Sequence, residues 1–118
     1  MQQTPMKFDM WVHGEWYAGS GGGSVEVTNP ATAELLATVP EGNQGDVDRV
    51  IESSREGLKV WRSTQPRVRA QILYRIAETL KARAEEFATL YSLNSGGSVG
   101  TGMWTMNDVA ARRFEYYA

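Results

Sequence analysis

The feature that most constrains this chain is a run of apolar residues at helical spacing: Ile72, Leu73, Ile76, Leu80, Ala84, Phe87, Leu90 and Tyr91. Steps of three and four keep them on one face of a helix about five turns long. Such a stripe must lie against other structure, which demands a layered fold. Thr64-Gln65-Pro66 marks its start: Thr64 can cap, and Pro66 lacks an N–H that the first turn would leave unpaired. Two shorter stripes flank it. Val47, Val50, Ile51, Leu58 and Trp61 predict a helix opened by Asn43-Gln44-Gly45-Asp46, a capping-box pattern with Asp46 at the positive end of the dipole. Met106, Val109, Ala110, Phe114 and Tyr117 predict a third helix beyond a glycine-rich break over 94–102. No Gly, Asn or Pro follows Tyr117, so this last stripe reads as cut rather than stopped.

The first 40 residues have a different period. Trp11-Val12-His13-Gly14-Glu15-Trp16-Tyr17 predicts a β-hairpin whose two central residues, His13 and Gly14, supply positive φ angles. After the loop 20–24, Val25-Glu26-Val27-Thr28 alternates with period two, Asn29-Pro30-Ala31-Thr32 predicts a turn, and Leu35-Leu36-Ala37-Thr38-Val39 predicts a strand stopped by Pro40. The fold class expected is α+β: an N-terminal β-hairpin and short strands, then three amphipathic helices. In domain terms this gives an N-terminal extension at 1–10, strands at 11–40 and a three-helix region at 43–118. At 118 residues one modest core is expected and a second is not.

Composition removes several function classes. With 12 basic and 14 acidic side chains the net charge is −2, without the basic excess of a nucleic-acid domain. The bases of the middle are interleaved with Asp46, Asp48, Glu52, Glu56, Glu78, Glu85 and Glu86, which describes solvated helix faces. No apolar run approaches the length of a membrane span, and Met1-Gln2-Gln3-Thr4-Pro5 has neither the basic nor the apolar region of a secretion signal, so a soluble, cytoplasmic protein is expected. Without Cys there is no thiolate nucleophile, disulfide or Cys-based zinc site, and a single His makes no metal constellation.

The motifs that imitate catalytic or cofactor sites fail on their neighbours. Gly97 and Gly102 bracket four residues like a phosphate loop, but Met103-Trp104 stands where Lys and Ser/Thr must follow. Gly19, Gly21 and Ser24 imitate a dinucleotide fingerprint without the helix that should receive the pyrophosphate. His13 is expected as a turn residue rather than a general base, with no Ser, Thr or Cys in a nucleophile elbow beside it. Glu85-Glu86 and Asp46/Asp48 diverge on their helices and are expected to be structural. Trp11, Trp16, Trp61 and Trp104 are expected in core or interface packing. No catalytic, cofactor-binding or metal residue is therefore assigned.

The ordered segments resemble the N-terminal portion of the aldehyde dehydrogenase superfamily. The resemblance rests on Val12-His13-Gly14-Glu15-Trp16, Val25-Glu26-Val27-Thr28-Asn29-Pro30-Ala31-Thr32-Ala33-Glu34, Ala37-Thr38-Val39-Pro40, Asp46-Val47-Asp48-Arg49-Val50, Trp61, residues 69–84 and Arg113-Phe114-Glu115-Tyr116-Tyr117-Ala118, and it covers about residues 11–118. It implies the N-terminal part of the family's α/β cofactor-binding domain, whose helices cover a parallel sheet absent from this chain. It further implies oxidation of aldehydes to carboxylic acids with NAD or NADP by a Cys nucleophile, a Glu base and an oxyanion-binding Asn, all of which come later in the family's chain. No such role transfers to a residue here, so the chain is expected to bind no cofactor and to be inactive alone. The resemblance predicts an N-terminal fragment or split subunit that associates with the remainder of a dehydrogenase or with itself. The rival expectation is a non-catalytic interaction module derived from that fold. Neither a nucleic acid nor a membrane is expected as partner.

Two departures from the family pattern are visible. Asn94-Ser95-Gly96-Gly97 stands where Glu-Thr-Gly-Lys is usual, and the glycine-rich stretch runs on to Gly102. Ala33 replaces the usual Gly after Asn-Pro-Ala-Thr. If its positive φ is kept, the Cβ costs on the order of 1 kcal/mol; otherwise the turn has another shape.

Overall fold

A computed structural model describes residues 5–118; residues 1–4, the start of the expected N-terminal extension, lie outside the described residues. The strands are β1 (Met6–Lys7), β2 (Met10–Val12), β3 (Glu15–Tyr17), β4 (Ser24–Thr28) and β5 (Leu35–Pro40), followed by helix α1 (Gln44–Ser63). β2 and β3 form the hairpin, Trp11 opposite Trp16, with φ of 56° at His13 and 81° at Gly14. Both central residues are thus left-handed, as the right-handed twist of the flanking strands requires of a two-residue turn.

β1, β5 and β4 make a second sheet with β5 in the middle. β4 runs antiparallel to β5, and Pro40 is the last paired residue of β5, opposite Ser24, rather than a stop before the strand's end. Proline is tolerated at that terminal position, where little of the ladder depends on its missing N–H. β1 runs parallel to β5, Met6 opposite Ala37, and the Phe8 N–H continues the pairing to the Thr38 carbonyl at 3.0 Å. A two-residue strand has no period to detect, so this pairing was invisible in the segment expected as an extension.

The turn between β4 and β5 keeps its left-handed residue: Ala33 has φ 59°. Asn29 Oδ1 accepts from Ala31 N–H at 2.9 Å, and the Asn29 carbonyl accepts from Ala33 N–H at 2.7 Å. Asn29 N–H donates to the Glu34 carbonyl at 2.9 Å, closing the loop from both sides. These bonds hold Ala33 where its Cβ is unfavourable by about 1 kcal/mol.

Contacts divide the chain into two compact units, Met1–Ser63 and Thr64–Ala118. The buried side chains are small: Val12, Ala37 and Asp46 in the first unit and Ala77, Ala84, Ala88 and Ala111 in the second. The large residues of the stripes, Val47, Val50, Ile51, Leu58, Ile72 and Ile76 among them, remain more than a third exposed. With those residues outside, neither unit builds a wide apolar centre.

In the second unit the long predicted helix is two: α2 (Pro66–Ala82) and α3 (Ala84–Ser95). Arg83, at φ −111° and ψ 17°, interrupts them, while the apolar spacing runs through unchanged. A one-residue break hardly shifts the phase of a stripe, so periodicity cannot see it. Gln65, not Thr64, is the N-cap of α2 and makes no side-chain capping bond, with Pro66 following as anticipated. Gly96, at φ 73°, ends α3 as a left-handed cap.

The predicted third helix starts earlier than its stripe. α4 (Val99–Trp104) takes in Gly100 and Gly102, a π-helical turn spans Thr105–Ala110, and α5 (Ala111–Tyr117) follows. Ser98 Oγ caps α4 by accepting from Thr101 N–H at 3.1 Å. Gly102 is buried, and a Cβ there would lie 2.7 Å from Ala88 Cα and 2.9 Å from Ala88 Cβ. This glycine is placed by the close crossing of α3 and α4 and not by a loop. Lys81 and Glu115 form an ion pair between α2 and α5.

Candidate functional site

The most organised polar cluster surrounds Asp46, which is 2% exposed. Its amide donates to Asn43 Oδ1 at 3.0 Å while its own Oδ2 accepts from the Asn43 amide at 2.9 Å, the reciprocal capping box that the sequence pattern suggested. Oδ1 additionally accepts from the Tyr17 hydroxyl at 2.7 Å and from the Ser20 amide at 2.9 Å. Tyr17 and Ser20 precede it by 29 and 26 residues, and no local spacing announces them. The Asn43 amide, then the Tyr17 hydroxyl and the Ser20 donors, outweigh the effect of burial and hold the Asp46 carboxyl down from 3.8 to about 2. The Arg49 guanidinium lies 4.2 Å from the centre of the Tyr17 ring and 3.6 Å from Glu15. An ionised carboxylate with all its partners supplied by protein is a clamp between hairpin, loop and helix. It has no proton to exchange near neutral pH.

His13 has closer company than its sequence neighbours suggest. Ser53 Oγ lies 3.4 Å from His13 Nδ1, and Glu56 Oε2 lies 3.9 Å from the same nitrogen. In a nucleophile–base–orienter relay the hydroxyl and carboxylate engage opposite ring nitrogens. Here both address Nδ1, both distances are long, and the His13 and Glu56 side chains are more than half exposed. The cluster has the residue types of a relay without its geometry, and φ 56° gives His13 its turn role.

The carboxylate pairs separate. Asp46 is buried in the clamp, whereas Asp48 accepts from Gln44 Nε2 at 2.9 Å on the exposed face. Glu86 is held bidentately by Arg83 at 2.8 and 2.6 Å, and this bonding keeps its carboxyl below the ordinary range. That fork sits at the break between α2 and α3. Among the described residues no group of three or more His, Asp or Glu side chains is gathered as a metal site.

Of the core or interface packing expected for the four tryptophans, burial in a core of this chain is not found. Trp11 and Trp16 are 61% and 65% exposed and meet edge to face at 4.9 Å, and Trp61 and Trp104 are exposed as well. The hairpin register explains the pair: residues directly opposite share a face, and neighbouring Val12 points to the other one, where it is buried. An open groove of about 520 Å³ is lined by Asp108, Val109, Arg112, Arg113, Tyr116 and Tyr117, where Asp108 pairs with Arg112 at 3.1 Å.

The glycines of the two clusters lie against neighbouring side chains. The segment holding Gly19 and Gly21 leads into strand β4, and a Cβ at Gly21 would meet the Asn43 side chain at 3.1 Å. The Asp46 carboxylate lies 3.7 Å from a Cβ built on Gly19, a charge that repels phosphate. At the other cluster Gly97 faces the Tyr91 ring and Gly102 faces Ala88, so both are committed to packing. Among the described residues no helix is long and apolar enough to cross a membrane.

Residues 16–118 match the model of the aldehyde dehydrogenase family. Solved structures agree in fold. An NAD-dependent aldehyde dehydrogenase from Sinorhizobium meliloti superposes with a TM-score of 0.87 at 22% identity, over 96% of this chain and 23% of its own. For an aldehyde dehydrogenase from Bacillus cereus the TM-score is 0.84 at 27% identity, over 94% and 23%. An NADP-dependent enzyme from Escherichia coli gives 0.89 at 24% identity, over 94% and 23%. The chain thus spans under a quarter of the length of these proteins. With the family match running from β3 to its last residue, this chain belongs to the aldehyde dehydrogenase family.

Proposed function

We propose that these 118 residues are a structural portion, as N-terminal fragment or split subunit, of an NAD(P)-dependent aldehyde dehydrogenase that converts aldehydes to carboxylic acids. In this reading the nucleophile, base and cofactor site come from residues outside this sequence, and the chain alone is inactive. The observation that carries it is the pairing of a family match over residues 16–118 with the absence of Cys, the nucleophile implied by the family resemblance. The partner is protein, either the rest of a dehydrogenase or further copies, in the cytoplasm. Exposed Val47, Ile51, Leu58, Ile72 and Ile76 support this, since apolar stripes of that extent gain by being covered.

The test is native mass spectrometry of the untagged protein from its source, followed by aldehyde oxidation assays with NAD and with NADP. A Cys-bearing polypeptide bound to this one or continuous with it, together with activity of that assembly, is the expected result. A lone 13.1 kDa species would overturn the reading in favour of a stand-alone interaction module. Aldehyde oxidation by the pure 118-residue chain would overturn the claim of inactivity.

A further inference from the structure

We draw no further inference here: the strongest candidate, the exposed edge-to-face Trp11 and Trp16 pair on the β2–β3 hairpin, is an apolar surface patch for which nothing in the structure shows what covers it.

Discussion

The two compact units reach order by opposite means. In Met1–Ser63 the most connected buried group is a charge: Asp46 draws Tyr17, Ser20 and Asn43 onto one carboxylate, fixing hairpin and loop to the start of α1. In Thr64–Ala118 the buried positions are Ala77, Ala84, Ala88, Gly102 and Ala111, which let helices approach by lacking side-chain bulk. A buried carboxylate is stable when every lone pair it presents is met by a donor, and it then prescribes where those donors must be. Small residues prescribe only a distance. The first unit should therefore be sensitive to protons and to loss of a partner, and the second to added volume.

The largest effect is expected from Gly102→Ala. The new Cβ meets backbone atoms of Ala88, which cannot rotate away, so the substitution should cost about 3 kcal/mol, at the upper end of overpacking. Denaturant unfolding measures the loss, and amide exchange should localise it to α3 and α4. Combining it with Ala88→Gly removes the 2.9 Å Cβ contact and should restore part of the loss; no restoration would mean that the crossing does not limit this unit.

Acid should act on the first unit. The folded Asp46 carboxyl titrates near 2 against 3.8 ordinarily, so its contribution is fully present above about pH 4 and disappears as pH falls towards 2. Protection of the Ser20 and Asn43 amides relative to their intrinsic exchange rates should fall over that interval, and Asp46→Ala should show the lowered protection already at neutral pH, with no further loss between pH 4 and 2. Unchanged exchange at both amides in the variant would dissolve the contrast between the units.

Smaller effects should come from the turns. Gly14→Ala meets no atom within 4 Å, so only its left-handed backbone resists, at about 1 kcal/mol; Gly14→Asn should cost less. At Ala33 the sign reverses. Ala33→Gly relieves about 1 kcal/mol of backbone strain and gives back roughly half of it as chain entropy, leaving a small stabilisation read as a slightly raised melting temperature. A destabilised Ala33→Gly variant would show that the Cβ has a role beyond the turn.

What could be read in advance follows the range of the interaction. The His13-Gly14 turn, the Asn43/Asp46 capping box and the stretch of α1 depend on residues within a few positions of each other, and all are found as the pattern indicates. The candidate clusters behaved differently. Ser53 and Glu56 beside His13, and Tyr17 on Asp46, join residues 29 to 43 positions apart, and no spacing rule relates them. The hairpin around His13-Gly14 was legible, but the exposure of Trp11 and Trp16 depends on which of its faces is covered.

By itself, the sequence determined the α+β order of elements, the left-handed hairpin turn, the cap of α1 and the family, because these rest on local stereochemistry and on an ordered set of short motifs. Only the tertiary structure decided that β1 joins β5 as a parallel strand, that the helix carrying one apolar stripe is broken at Arg83, and that Gly102 lies inside a helix against Ala88. It also decided that Ala33 keeps φ at 59°. The β1–β5 pairing and the Gly102 crossing depend on closure between distant segments, whereas Ala33 is held inside its own turn by Asn29 and Glu34. Local propensity states what a residue tolerates, and the partner brought to it settles which tolerated state is occupied.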